Sequence, residues 1–148
     1  MKRIIYSPGE PAGIGPDLII KIASSQSWEN FKIPIVSIGD PSLFLERAKL
    51  LNKKIKVIQI DSVINSKPNR RGFLQVIKTI KCKKTAPGKL HKLNGEYVLN
   101  NLDYAIKETI KNQKYALVTG PLSKENVISL DKSFSGHTEY IQKITKSN

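Results

Sequence analysis

The chain has 148 residues, with 25 lysines and arginines against 12 aspartates and glutamates, a net charge of +13, and a single cysteine, Cys82. That length suits one domain with a real core, and one cysteine excludes an intramolecular disulfide and a thiolate zinc cluster. No apolar run is long enough to span a bilayer, and the start lacks the apolar segment of a secretory signal, so the expectation is a soluble cytoplasmic protein.

Arg3-Ile4-Ile5-Tyr6 reads as a buried strand. It runs into Ser7-Pro8-Gly9-Glu10-Pro11-Ala12-Gly13-Ile14-Gly15-Pro16-Asp17, where glycine and proline alternate too densely for a strand or a helix interior. Asp17 to Ala23 then reads as a helix, with Pro16 suited to its first turn. A strand, a tight loop and a helix N-terminus can hold an anion or a cofactor, with Gly13 and Gly15 as the candidate cofactor-binding positions; a well-made turn with no ligand has the same pattern. The spacing is neither the dinucleotide G-x-G-x-x-G nor a P-loop. Glu10 and Asp17 are acidic candidates for orienting a cofactor or a substrate hydroxyl, although Asp17 also complements the helix N-terminus.

Ile35 to Gly39 reads as a second strand. Asp40-Pro41 places an N-cap residue before a first-turn proline, opening a helix through Leu43, Phe44, Ala48 and Leu51. Ile55 to Ile60 alternates as a third strand. Asn65 to Gly72 is a loop, and Phe73 to Ile80 an edge strand or hairpin arm. Lys78 to Lys84, the densest basic patch, reads as a strand with a solvated face; it lacks the interleaved aromatic residues on which single-stranded nucleic acid stacks. From Gly95 to Asn112, Val98, Leu102, Ile106 and Ile110 recur every four residues as one apolar stripe. Tyr115 to Thr119 reads as a buried strand entering Gly120-Pro121, and His137 to Lys146 as a helix with no glycine or proline stop, so that Asn148 falls inside it and the chain reads as a fragment. Strands alternating with helices predict an α/β fold with a mainly parallel sheet and flanking helices, whose ligands gather beyond the carboxyl ends of the strands. Both Gly/Pro loops lie at such ends.

Four segments resemble one family: the loop from Ser7 to Asp17, Asn94-Gly95-Glu96-Tyr97 with the helix after it, Leu117-Val118-Thr119-Gly120-Pro121-Leu122-Ser123-Lys124, and Phe134-Ser135-Gly136-His137-Thr138-Glu139. Together they look like the N-terminal part of the 4-hydroxythreonine-4-phosphate dehydrogenases of vitamin B6 synthesis, while Asp61 to Lys84 adds no support. The resemblance implies a fold like that of isocitrate and isopropylmalate dehydrogenases, truncated here, with 1–115 as the first α/β domain and 116–148 as the start of a second. It implies NAD-dependent oxidation of 4-phosphohydroxy-L-threonine and decarboxylation to 3-amino-2-oxopropyl phosphate by a complete homodimer, this chain alone being inactive. It also implies a divalent metal (zinc, magnesium or cobalt) whose ligands, like most NAD contacts, lie beyond Asn148.

Only two histidines are present. By spacing alone His137 is a partly exposed neighbour of an N-cap; the resemblance implies that His137 and Thr138 bind substrate. Lys124 either pairs with a substrate phosphate or carboxylate or is a solvated lysine. His91 reads as a surface loop residue and Cys82 as a partly buried structural one. No metal site can be assembled from these residues. The alternatives are a paralogous dehydrogenase of phosphoerythronate or threonate phosphate, and a non-catalytic basic fragment that binds anions or nucleic acid.

Overall fold

The computed structural model describes residues 1–146. Five strands, β1 (Arg3–Ser7), β2 (Ile35–Gly39), β3 (Lys56–Gln59), β4 (Phe73–Lys78) and β5 (Tyr115–Thr119), form one parallel sheet in the order β3-β4-β2-β1-β5. The helices are α1 (Gly15–Ala23), α2 (Ser27–Asn30), α3 (Pro41–Leu50), α4 (Asn94–Ile110), α5 (Lys124–Ile128) and α6 (His137–Thr145). The expected α/β architecture is present.

Side chains on a strand alternate between faces, which sorts the core into two layers. Tyr6, Leu74 and Val76 meet Ile19, Ile20 and Ala23 of α1 and Phe44 and Ala48 of α3. Ile5, Val36, Ile38 and Ile77 point the other way, toward Ala105 of α4. Trp28 closes the first layer, 1% exposed, and its indole N–H donates to the Phe73 carbonyl at 3.2 Å. Asp40 caps α3 as expected, accepting from the Ser42 N–H at 3.0 Å, and Pro41 follows in the first turn.

Several elements differ from the sequence reading. Phe73–Lys78 is an internal strand, not an edge, because it is hydrogen-bonded to β3 on one side and β2 on the other; Leu74 and Val76 are fully buried. Its one misleading residue, Gln75, is buried with its amide bonded to the backbone of Lys67 at 2.7 and 2.8 Å. The real edges are β3 and β5. Ile58 on β3 is 41% exposed, so the alternation expected there is weak, and Val118 on β5 is 45% exposed, so β5 is not a buried strand. The basic patch is not a strand: β4 ends at Lys78, and the chain from Ile80 to Lys84 is irregular. In α4 the apolar stripe stops at Ile106, since Ile110 is 57% exposed; Tyr97, Asn101 and Ala105 complete the buried face. The last helix ends at Thr145, with Lys146 left-handed at φ 52°. Its expected continuation to Asn148 lies outside the described residues.

Candidate functional site

The two Gly/Pro loops leave the carboxyl ends of neighbouring strands, β1 and β5, and are locked together. Gly120 N–H donates to the Ser7 carbonyl at 2.7 Å, and Glu10 N–H to the Pro121 carbonyl at 3.0 Å. A Cβ on Gly15 would lie 1.8 Å from the Pro8 carbonyl oxygen, and one on Gly120 2.2 Å from the same atom. Glycine is required there because backbone packs on backbone. Gly13 is less constrained, its Cβ position lying 3.2 Å from the Glu10 carbonyl oxygen.

The first loop also spends its donors internally. Ala12 N–H donates to Glu10 Oε1 at 3.1 Å and Gly13 N–H to the Glu10 carbonyl at 2.9 Å. The Tyr6 hydroxyl donates to the Gly15 carbonyl at 2.9 Å, and burial pushes that phenol up to about 12. Glu10 is not positioned to orient a substrate. It is 4% exposed, and its second oxygen accepts from Asn126 Nδ2 at 3.1 Å. Asp17, in the first turn of α1, pairs with Arg47 at 2.7 Å, and Arg47, 3% exposed, also donates to the carbonyls of Gly13 and Pro11. Packing alone requires glycine at Gly15, and the N–H groups of Ala12 and Gly13 are engaged within the loop.

Lys124 opens α5, whose cap Ser123 accepts from Asn126 N–H at 3.4 Å. Its ammonium reaches Gly136: a Cβ there would sit 3.8 Å from Lys124 Nζ. Gly136 precedes α6, and His137 and Thr138 are the first residues of that helix, so Lys124, His137 and an N-terminal helix end share one corner. Among the described residues the ion pairs are Arg47–Asp17 and Lys111–Glu108, so Lys124 forms none, while the Glu139 carboxylate shares its corner, Oε2 lying 3.0 Å from the same Cβ position. His137 is half-buried, and desolvation lowers its pKa from 6.5. It is therefore a neutral imidazole at pH 7, able to donate and accept. Thr138 is exposed at the mouth of this corner.

Sequence reasoning missed Arg47 and Asn126, and read Asn94 only as part of a family-like segment. Arg47 was open to detection as a lone arginine on the apolar side of α3; Asn126 carries no local signal. His91 is a partly exposed turn residue whose carbonyl accepts from Asn126 Nδ2 at 3.3 Å. Cys82 is structural: burial first, then Asp40, Glu10 and Glu46, push its thiol up to about 12. Among the described residues no three His, Cys, Asp or Glu side chains gather to hold a metal ion, and no helix is long and apolar enough to cross a membrane.

A model of the pyridoxal phosphate biosynthetic protein PdxA family matches residues 30–148, a range that includes the unsupportive stretch 61–84. The chain belongs to the PdxA family. It is 39% identical over 139 residues, 94% of its length, to a 4-hydroxythreonine-4-phosphate dehydrogenase of Colwellia psychrerythraea, and covers 41% of that protein. It is 34% identical to one of Vibrio parahaemolyticus over all 148 residues, 43% of that protein. Solved dehydrogenases of the same name from Burkholderia phymatum and Klebsiella pneumoniae superpose with TM-scores of 0.88 and 0.85. At 20% and 23% identity they share the fold over the whole of this chain and 44% and 46% of theirs. The chain thus spans less than half the length of these PdxA relatives.

Proposed function

We propose that the complete protein is a cytoplasmic 4-hydroxythreonine-4-phosphate dehydrogenase, and that this chain supplies the corner that receives the phosphorylated substrate. The observation that carries the reading is the meeting of Lys124 with the start of α6 at His137, in a family whose members are named for that substrate. Lys124 supplies the cation for the phosphate or carboxylate, the α6 N-terminus supplies backbone donors, and neutral His137 and Thr138 hydrogen-bond the remaining polar groups, orienting the reacting carbon.

The overall reaction proposed is NAD-dependent oxidation of 4-phosphohydroxy-L-threonine, followed by decarboxylation to 3-amino-2-oxopropyl phosphate. In this proposal the complete protein is a homodimer, and its divalent metal and main NAD contacts belong to the part not contained in residues 1–148. We place the start of its second domain within the expected segment 116–148 but after β5, which pairs with β1 along its whole length and so belongs to the first sheet. The 148-residue chain by itself makes no NADH.

The test is substrate-dependent NADH formation by the complete protein. Losing the charge-assisted contact of Lys124 costs about 1.5–3 kcal/mol, so Lys124→Ala lowers kcat/KM by roughly 10- to 100-fold. Unchanged kinetics in both Lys124→Ala and His137→Asn would remove this corner from the active site. Turnover of phosphoerythronate or threonate phosphate alone would contradict the substrate.

A further inference from the structure

The basic segment Lys81-Cys82-Lys83-Lys84 is held by buried polar groups, which a merely solvated run does not need. Asn94, fully buried, clamps both backbone groups of Lys83: its Oδ1 accepts from Lys83 N–H at 2.8 Å and its Nδ2 donates to the Lys83 carbonyl at 2.9 Å. Asp40, 4% exposed, accepts from Cys82 N–H at 3.0 Å through the oxygen not used in capping α3. The Cys82 side chain turns inward onto the core, while Lys81, Lys83 and Lys84 stay exposed.

The three lysines border a cavity of about 370 Å³ floored by Ser42 and Leu43 of α3. That volume lies within the roughly 300–1,000 Å³ of ligand pockets. The cavity sits beyond the carboxyl ends of β2 and β4, the rim where open parallel sheets collect ligands. Ser42 Oγ already donates to Asp40 and Thr85 Oγ1 to the Lys89 carbonyl, so the ammonium groups are the available donors. Glu46 lines the same wall, but among the described residues no carboxylate forms an ion pair with any of the three lysines.

We propose that Lys81, Lys83 and Lys84 form a second anion site, for a phosphate or pyrophosphate group, organised by the Asn94 and Asp40 clamps. It is separate from the Lys124–His137 corner and does not depend on it. Its chemistry suits either the pyrophosphate of a nucleotide or the phosphate of a second substrate-like molecule.

Calorimetric titration of the chain at physiological salt with inorganic pyrophosphate, ADP and 4-phosphohydroxy-L-threonine tests this. Pyrophosphate binds saturably, and Lys81→Gln/Lys83→Gln/Lys84→Gln weakens it about tenfold or more. Lys53→Gln/Lys54→Gln/Lys56→Gln removes equal charge from a basic pocket at the opposite end of the sheet and leaves binding within about twofold. Asn94→Ala, provided it melts cooperatively, weakens binding without changing charge. ADP sensitive to the first triple variant identifies a nucleotide source; the substrate sensitive to it identifies a substrate-like one. No saturable pyrophosphate binding, or equal losses in the two triple variants, overturns the proposal. Loss in Lys124→Ala with none in the first triple variant also overturns it, and places the anion in the other corner.

Discussion

Glu10 and Asn126 are 116 residues apart in sequence and 3.1 Å apart across a buried hydrogen bond, Asn126 Nδ2 donating to Glu10 Oε2. This contact ties the first Gly/Pro loop to α5, the helix that begins with Lys124, and Asn126 extends the tie to the His91 carbonyl. The first loop is therefore a fixed block against which the Lys124 corner is set.

Removing the donor strands a carboxylate oxygen in the interior. Asn126→Ala destabilises the fold by about 2 kcal/mol, and Glu10→Gln by about 1 kcal/mol because its amide oxygen still serves Ala12. Urea unfolding measures both, as a lower midpoint at unchanged slope.

Arg47 holds the same loop from the other side, bonded to Asp17 and to the carbonyls of Gly13 and Pro11. Arg47→Ala leaves two carbonyls and a carboxylate short of a donor and costs about 3 kcal/mol. Asp17→Asn costs less, about 1 kcal/mol, because Asp17 is 21% exposed and Arg47 keeps both carbonyls. Equal losses in the two variants would contradict this order.

The glycines separate packing from ligand binding. Gly15→Ala drives a methyl into the Pro8 carbonyl, 1.8 Å away, and destabilises by about 3 kcal/mol. Gly13→Ala meets the Glu10 carbonyl at 3.2 Å and folds with a small loss. Thermal melts of the two variants check the contrast; if both melt like the parent chain, the glycines serve something other than backbone packing.

Burial lowers the His137 pKa below 6.5 in the folded chain. The unfolded chain binds that proton more readily, so the contribution of neutral His137 is complete above the unfolded value and is lost as pH falls through the folded one. Proton NMR titration of the ring should give a midpoint below 6.5, and His137→Phe should flatten the stability profile in that acidic range. A midpoint at or above 6.5 would contradict a desolvated ring.

The alternation of strands and helices was legible because each parallel strand and each helix carries its own apolar pattern, and Asp40-Pro41 announced α3 through local cap chemistry. Strand order was not: Phe73–Lys78 reads alike at an edge or inside, and only Gln75 bonding to Lys67 shows how a polar residue was accommodated internally. The same limit applied to the site. Lys124 and His137 were recognisable from their motifs, whereas Glu10, Arg47, Asn94 and Asn126 act through partners brought close only by folding, over separations of 11 to 116 residues. The lysine run misled for a related reason: its backbone is held by Asp40 and Asn94, not by a neighbouring strand.

The most direct test of the central claim is an NMR titration of the chain with 4-phosphohydroxy-L-threonine, following the Lys124, His137 and Thr138 amides and the His137 ring. The account predicts that these signals move together and saturate, and that Lys124→Ala weakens the response roughly 10- to 100-fold while the rest of the spectrum is unchanged. Signals that stay fixed at this corner up to the highest substrate concentration, or an affinity unchanged in Lys124→Ala, would contradict it.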